Sequence, residues 1–463
     1  LLDENGKGKR NVRFIWYEVD KSGKSIDIFI RLNVGKIPLT DAELTKALLL
    51  QTDKYKSDSV NDKKLPFVEG ELKEIATEWD RIEYTLQNED FWFFINNNTN
   101  ERPTHIEFIF DLIANQLNNE FKFYLDDNKK PQKPRNHPTF LIMSSYLNEL
   151  IDIQKLDQIK AVRKIWDKVT FYFDYFNAWF SDRMLYHYIG FLIAERGSKF
   201  IDVLILEAQK NTKSEFQEYL RMEIGNVVRV LKDCKTTDNK LVKLTVPTLK
   251  YEYDDQNGND KHEITKILFL HNVHRTLCST KEKAMFPFYL YKQTKINEKW
   301  SLEHIHAQNS ATITSSTDRK LWLKDHIISL SNIDKDEFNF QIESMKKLSS
   351  QEKIEDLDFE KVINEVSEIM NLKSSLAKDE MHSISNLCLV DKNTNSQLNN
   401  SVFDVKREKI KKREFEGFYI PICTRNVFLK AYTNYPKNNI YWTEQDRVDY
   451  LNDIMKTYIE FTN

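Results

Sequence analysis

From about residue 60 to residue 235 the apolar residues recur at the spacing of one helix face, and this pattern constrains the fold more than any other feature. Val162, Ile165, Trp166, Val169 and Phe173 fall at i, i+3, i+4, i+7 and i+11, and Phe216, Leu220, Ile224, Val227 and Leu231 make a second stripe. Stripes of this kind are usually core. The aromatic crowd from Trp166 to Phe180 could offer stacking surfaces, but its dense apolar spacing favours a helix buried on several sides. Ten glycines in 463 residues, with 12% aromatic and 30% charged residues, also suit long packed helices better than a turn-rich all-β chain. The expected fold class is mainly α with a small α+β part, in a chain long enough for two or three domains.

Several function classes are disfavoured. A net charge of −3 sets up no global basic field, so any nucleic-acid contact must come from a local patch. Cys234, Cys278, Cys388 and Cys423 are far apart and include no Cys-x-x-Cys pair, which supports neither a zinc knuckle nor a disulfide framework. A reducing cytoplasm is the expected location. Apolar runs such as Ile189 to Ala194 are stopped by charges well short of a bilayer span, so no membrane partner is expected. The start, Leu1 to Arg10, resembles no signal peptide and lacks an initial methionine, so the chain reads as one joined in the middle.

In chain order, residues 12–31 alternate in a strand-like way around Ser22-Gly23. Thr40, with Glu43 at the capping-box position, predicts a helix from about 41 to 51. Pro131, Pro134 and Pro138 mark a loop, and Tyr253 to Lys261 marks another that separates a helical domain over 53–250 from a C-terminal domain over 251–463. Phe286 to Tyr291 reads as a buried, extended lead-in to Trp300. Residues 335–380 carry their own helical charge pattern and are expected to be inserted helices folding away from their surroundings. Trp442 to Asp446 opens a last helix with Leu451, Ile454, Met455 and Tyr458 on one stripe.

Two stretches carry chemistry. The first is Ser301-Leu302-Glu303-His304-Ile305-His306-Ala307-Gln308; the second runs from Ser385-Asn386-Leu387 to Asn393-Thr394-Asn395. Phosphodiester hydrolysis needs a deprotonated water in line with the leaving oxygen and positive charge on the scissile phosphate. A histidine can be the base at neutral pH, and a hard cation such as Mg²⁺ prefers carboxylate and amide oxygens. His304 is then the base, Glu303 a metal ligand, Asn395 a second ligand from a helix, and Asn386 the brace of the loop. Asn393 is the rival ligand, about 200° from Asn395 around a helix. Adjacent strand residues point to opposite faces, so Glu303 and His304 converge only if the strand bends, as at a β-bulge. His306 and Gln308 are candidates for contacting phosphate or bracing the hairpin. Lys406 or Arg407 could hold a phosphate, although a solvated helix face is the commoner reading. His382 and Ser385 read as structural, and His187, His262, His271 and His274 as ordinary helix residues.

Glu303-His304, Asn386-Leu387 and, nine positions on, Asn395 together resemble the HNH pattern of acidic ligand, general base, structural Asn and ligand Asn. Asn399 to Arg407 and Phe428 to Tyr432 resemble the HNH domain of GmrSD-type restriction endonucleases. Glu78 to Glu83 with Phe91 to Phe94 resembles that family's helical middle, and Phe29 to Leu44 the closing segment of its ParB/sulfiredoxin-like nucleotidase domain. The family's Asp-Gly-Gln-Gln-Arg motif is absent, Lys36 stands where a second glycine is usual, and Ala307 where proline is common. The resemblance implies the end of a nucleotidase-like domain over 1–52, a helical middle, and a ββα-metal (HNH) motif in a helical C-terminal domain. It implies a Mg²⁺- or Mn²⁺-dependent endonuclease that cuts modified double-stranded phage DNA, as in modification-dependent restriction, possible as a homo-oligomer and using a nucleotide only with an upstream region. The alternative is a DNA-sensing or scaffold protein whose HNH-like fold binds without cutting.

Overall fold

The computed structural model describes residues 39–51, 65–97, 102–230, 233–235, 241–243, 245–251, 259–279, 284–292, 300–306, 313, 315–377, 380–398, 400–436 and 438–463. The strand-like stretch 12–31 and most of Phe29 to Leu44 lie outside them. Helix α1 (Asp41–Leu49) starts where the capping pattern predicts: Glu43 N donates to Thr40 Oγ1 at 3.1 Å and Thr40 N donates to the Glu43 carboxylate at 2.8 Å. There follow α2 (Leu65–Leu86), α3 (Glu89–Ile95), α4 (Glu107–Phe121), α5 (Pro138–Asn148), α6 (Gln158–Ser181), α7 (Arg183–Arg196), α8 (Ile201–Lys210) and α9 (Lys213–Val228). The stripe on α6 is core as its spacing requires, with Val162, Ile165, Trp166, Val169 and Phe173 all buried. Trp166 stacks on Trp79 of α2, and its indole N–H donates to Glu78 at 2.6 Å, which satisfies the one polar atom of a buried ring.

A small antiparallel pair, β1 (Asp233–Lys235) and β2 (Leu241–Lys243), leads to α10 (Asn259–Cys278). Phe286 to Tyr291 departs from the extended lead-in expected for it. Pro287 accepts from the N–H groups of Leu290 and Tyr291, and Phe288–Lys292 forms a short helix, α11. An apolar run of this length carries no period that separates strand from helix, and the proline preset the first turn. Its packing role survives, since the rings of Phe286 and Tyr291 lie 5.7 and 5.4 Å from that of Trp300.

Strand β3 (Ser301–His304) is followed by α12 (Ser316–Asp334), α13 (Asn339–Ser349) and α14 (Asp356–Ser374), then by β4 (Leu387–Val390) and the helices α15 (Lys392–Leu398), α16 (Phe403–Phe415), α17 (Ile422–Phe428) and α18 (Glu444–Thr462). The inserted unit therefore has three helices and begins about twenty residues earlier than its charge pattern suggested. It has its own apolar core, with Trp322, Leu323, Phe338, Ile342, Met345 and Phe359, closed by Val402 and Val405 beside the start of α16. The remaining core runs unbroken from Ala42 in α1 to Phe461 in α18. The core is continuous across residue 52, where α1 packs on α4 and α5, and across residue 250, where α18 packs on both α9 and α10. At Gly225 of α9 an added Cβ would lie 2.0 Å from the Phe461 carbonyl oxygen, so the absent side chain is what lets α18 approach so closely. The described part is mainly helical with small antiparallel pairs, and none of its helices is long and apolar enough to cross a membrane.

Candidate active site

The two chemistry-bearing stretches meet through β3 and β4. They pair in antiparallel register, with Glu303 opposite Cys388 and His304 opposite Leu387. Just past the pair, Ile305 N donates to the Asn386 carbonyl at 2.8 Å and His306 N donates to Asn386 Oδ1 at 3.0 Å. Asn386 is fully buried, and its Nδ2 donates to the Met381 carbonyl at 2.8 Å. A buried amide so placed braces the end of β3.

Helix α15 follows β4 directly, with the Asp391 carboxylate accepting from Thr394 N at 2.9 Å at its start. Asn395 faces the hairpin: its Nδ2 donates to Ser301 Oγ at 2.7 Å and to the Leu302 carbonyl at 3.2 Å. Asn393 is exposed and accepts from Gln397 at 3.3 Å within the helix. Of the two rival asparagines, Asn395 is the one on β3.

Glu303 and His304 do not converge. The pairing is continuous from Ser301 to His304, without a bulge, so the two side chains leave opposite faces of the strand. Glu303 turns to α16, where its Oε1 lies 2.6 Å from Lys406 Nζ, and the same ammonium donates to the His304 carbonyl at 2.5 Å. The His304 ring turns the other way. Its Nε2 is 3.1 Å from His382 Nδ1, and the Tyr251 ring lies 5.9 Å away. Tyr251 is held there by its own N–H, which donates to the His382 carbonyl at 2.8 Å.

Of the candidate phosphate contacts, Lys406 and Arg407 are engaged inside the fold, and His306 takes the bracing place that was its alternative. Lys406, read as a solvated or phosphate-binding residue, is 1% exposed and ion-paired with Glu303. Arg407 donates to the carbonyls of Phe428 at 3.1 Å and Asn439 at 3.3 Å, pinning the C-terminal segments together. His306 is 1% exposed, with Nδ1 3.3 Å from Ser374 Oγ of α14, so it braces the hairpin against the inserted helices. Gln308 and Ala307 lie outside the described residues.

Burial, helped by the Lys406 charge and by His382, brings the His304 pKa down to about 3. Burial and Lys406 likewise bring His306 to about 4. Both rings are neutral at physiological pH. Burial and the nearby Glu303 carboxylate raise the Cys388 thiol to about 12, which leaves it a core residue and no nucleophile.

A hard cation here would draw on Glu303 and the Asn395 amide. The arrangement does not fit one as it stands: Lys406 already neutralises the carboxylate, Asn395 turns its NH₂ to β3, and among the described residues no three His, Cys, Asp or Glu side chains form a ligand group. No family model, curated protein or solved structure matches the chain.

Two residues of this cluster carried other expected roles in the sequence, His382 as structural and Lys406 as a phosphate contact or a solvated helix residue. His382 has no ligand-like spacing to His304 and reaches it only through the β3–β4 pairing. Lys406 stands among Arg407, Glu408 and Lys409, a run that reads as solvated.

The buried histidines predict acid sensitivity. His187 is lowered to about 4 and His326 to about 3, chiefly by burial, alongside His304 and His306. Their ordinary pKa is 6.5, so below that pH the unfolded chain binds protons that the folded chain refuses. Stability should hold above that value and fall as the pH drops towards 4, by up to about 1.4 kcal/mol per pH unit for each ring. Glu195, raised to about 7 by burial, acts in the opposite sense, and one such group does not offset four. Urea unfolding at pH 7 and pH 5 measures this, and equal or greater stability at pH 5 would contradict it.

Proposed function

We propose that this chain is an HNH-type DNA endonuclease resembling the GmrSD-type, modification-dependent restriction enzymes, acting in cytoplasmic antiphage defence on modified double-stranded DNA. The observation that carries the reading is the 3.0 Å bond from His306 N to Asn386 Oδ1, which ties two motifs eighty positions apart into one strand pair. Asn395, on the helix that follows, then lies against the strand carrying Glu303 and His304. A strand pair with a facing helix is the arrangement a ββα nuclease motif needs.

In this reading His304, kept neutral by burial, takes the proton of the attacking water, and His382 at 3.1 Å can share it. So desolvated an imidazole is a weak base. An approaching phosphate raises its proton affinity by the same electrostatics through which Lys406 lowers it. Asn386 holds the strand end in place, and Asn395 fixes β3 from the helix side.

Asn395→Ala is therefore expected to weaken cleavage, and more than Asn393→Ala, since only Asn395 contacts β3. The greater loss in Asn393→Ala would show that the spacing picked the wrong residue.

The buried base and the ion-paired Glu303 favour a second reading, a DNA-sensing protein that binds without cutting. Incubation with plain DNA and with DNA carrying modified bases, in Mg²⁺ and in EDTA, separates the two. Cut product in Mg²⁺, with preference for modified DNA, supports the nuclease. Tight binding with both DNAs intact supports the sensor.

A further inference from the structure

A chain of net charge −3 that acts on DNA needs a local cluster of cations, and the segment 122–137 between α4 and α5 supplies one. Lys122, Lys129, Lys130, Lys133 and Arg135 stand there against two carboxylates, Asp126 and Asp127, and all five cations are exposed. Asp126 is occupied with the backbone, accepting from Asn128 N at 2.9 Å and Lys130 N at 2.7 Å. Among the described residues the segment's only ion pair is that of His137 with Asp41 at 2.8 Å, so none of the five cations is neutralised by a carboxylate partner.

The conformation of the segment is fixed from both ends. The buried Asn118 amide donates to the carbonyls of Tyr124 and Gln132, both at 3.2 Å, and accepts from Tyr124 N at 2.9 Å, while Gln132 N donates to the Tyr124 carbonyl at 3.0 Å. At the far root Asp41 accepts from Thr139 N at 2.8 Å. Lys130 and Lys133 each precede a proline, which biases them to extended backbone. Lys122 and Lys129 have φ of 56° and 58°, a region in which glycine would be less strained, so lysine is held there at a backbone cost. A run of charges that served only solvation would need neither the ties nor the strain.

The chemistry favours a polyphosphate over a lipid surface. Leu125 is the one exposed large apolar side chain of the segment. Phe123 stacks on Phe121 at 5.3 Å and the Tyr124 hydroxyl lies 3.3 Å from Ser145 Oγ, so neither ring is presented to a membrane. Lys129 to Arg135 reach at most roughly 20 Å, and along that length each strand of duplex DNA carries a phosphate about every 3.4 Å. We propose that the segment 122–137 is a preorganised arm that grips the phosphate backbone of duplex DNA through Lys129, Lys130, Lys133 and Arg135, irrespective of base sequence. Because the arm is ordered beforehand, binding costs it little chain entropy. This rests on the reading of the chain as a protein that acts on DNA, and it puts the grip on elements that carry no part of the candidate active site.

The test is fluorescence anisotropy of a labelled, unmodified duplex with the full chain in EDTA, from about 50 to about 200 mM salt, where each phosphate contact adds about 0.9 to the slope of log affinity against log salt. The variant Lys129→Ala, Lys130→Ala, Lys133→Ala, Arg135→Ala should have a slope shallower by roughly 3 and bind roughly 10- to 100-fold more weakly at the low-salt end. A control, Lys160→Ala, Lys210→Ala, Lys213→Ala, Lys346→Ala, removes the same charge from exposed lysines that are ion-paired, and should move the slope by less than about 1. Lys129→Arg, Lys130→Arg, Lys133→Arg should keep both slope and affinity. An unchanged slope in the folded arm variant overturns the proposal, as does an equal loss in the control. So does a loss of binding confined to phosphatidylserine vesicles, which would make the segment a membrane contact. DNA cleavage by wild type, with an arm variant that binds as well, would leave the nuclease standing without the arm. Arm-dependent binding by a wild type that never cuts would remove the nuclease and keep the arm.

Discussion

Substituting His304 with alanine is expected to lower DNA cleavage by roughly 10²- to 10⁴-fold, the range for removal of a general base. The ring is 6% exposed, between His382 and Tyr251, so alanine also opens a gap in a packed region. That should cost roughly 1–3 kcal/mol of stability, which is why the rate must be read well below the melting temperature. His304→Gln fills more of the space and still lacks a titratable ring. It should lose as much rate and less stability. The base must be neutral to act, and burial with Lys406 holds its pKa near 3 in the DNA-free protein, so kcat/KM should stay level as the pH falls through the ordinary histidine range near 6.5. Initial rates at DNA concentrations well below KM, between pH 5 and 8, measure this. Full activity in folded His304→Ala would place the base elsewhere.

Glu303→Ala should give the largest loss of stability, about 3–5 kcal/mol, because it leaves the buried Lys406 ammonium without its carboxylate. The His304 carbonyl, its other acceptor at 2.5 Å, carries no full charge to compensate. A buried ion pair need not stabilise relative to an apolar pair of similar volume, so Glu303→Leu combined with Lys406→Met should lie nearer to wild type than either single variant. Urea unfolding of the four proteins closes the cycle. Strictly additive losses would mean that the two groups do not interact.

Much of the fold was legible because helical spacing and caps are local. The α6 stripe, the Thr40–Glu43 cap of α1 and the opening of α18 after Thr443, where Asp446 completes a capping box, appear where the pattern puts them. Helix α12 was not legible as part of the insertion because its buried face is partly polar. Arg319 is buried on the Ile313 and Ile354 carbonyls, and His326 between the Trp322 carbonyl of its own helix and the Val402 N–H, so no clean apolar stripe shows. In the site, Asn386 and Asn395 are separated by a spacing that can be read along the chain. The Glu303–Lys406 pair and the His304–His382 contact depend on which face each β3 residue takes, and that follows from an unbulged register that no local pattern reports.

The most direct test of the central claim, that β3, β4 and α15 form a phosphodiester-hydrolysing site, is the fate of one end-labelled DNA duplex incubated with the full wild-type chain in Mn²⁺ and in EDTA. Cut strands with 5′-phosphate and 3′-hydroxyl ends are expected in Mn²⁺, and intact DNA in EDTA. Intact DNA in both, with folded protein and with modified as well as plain duplexes, would contradict it.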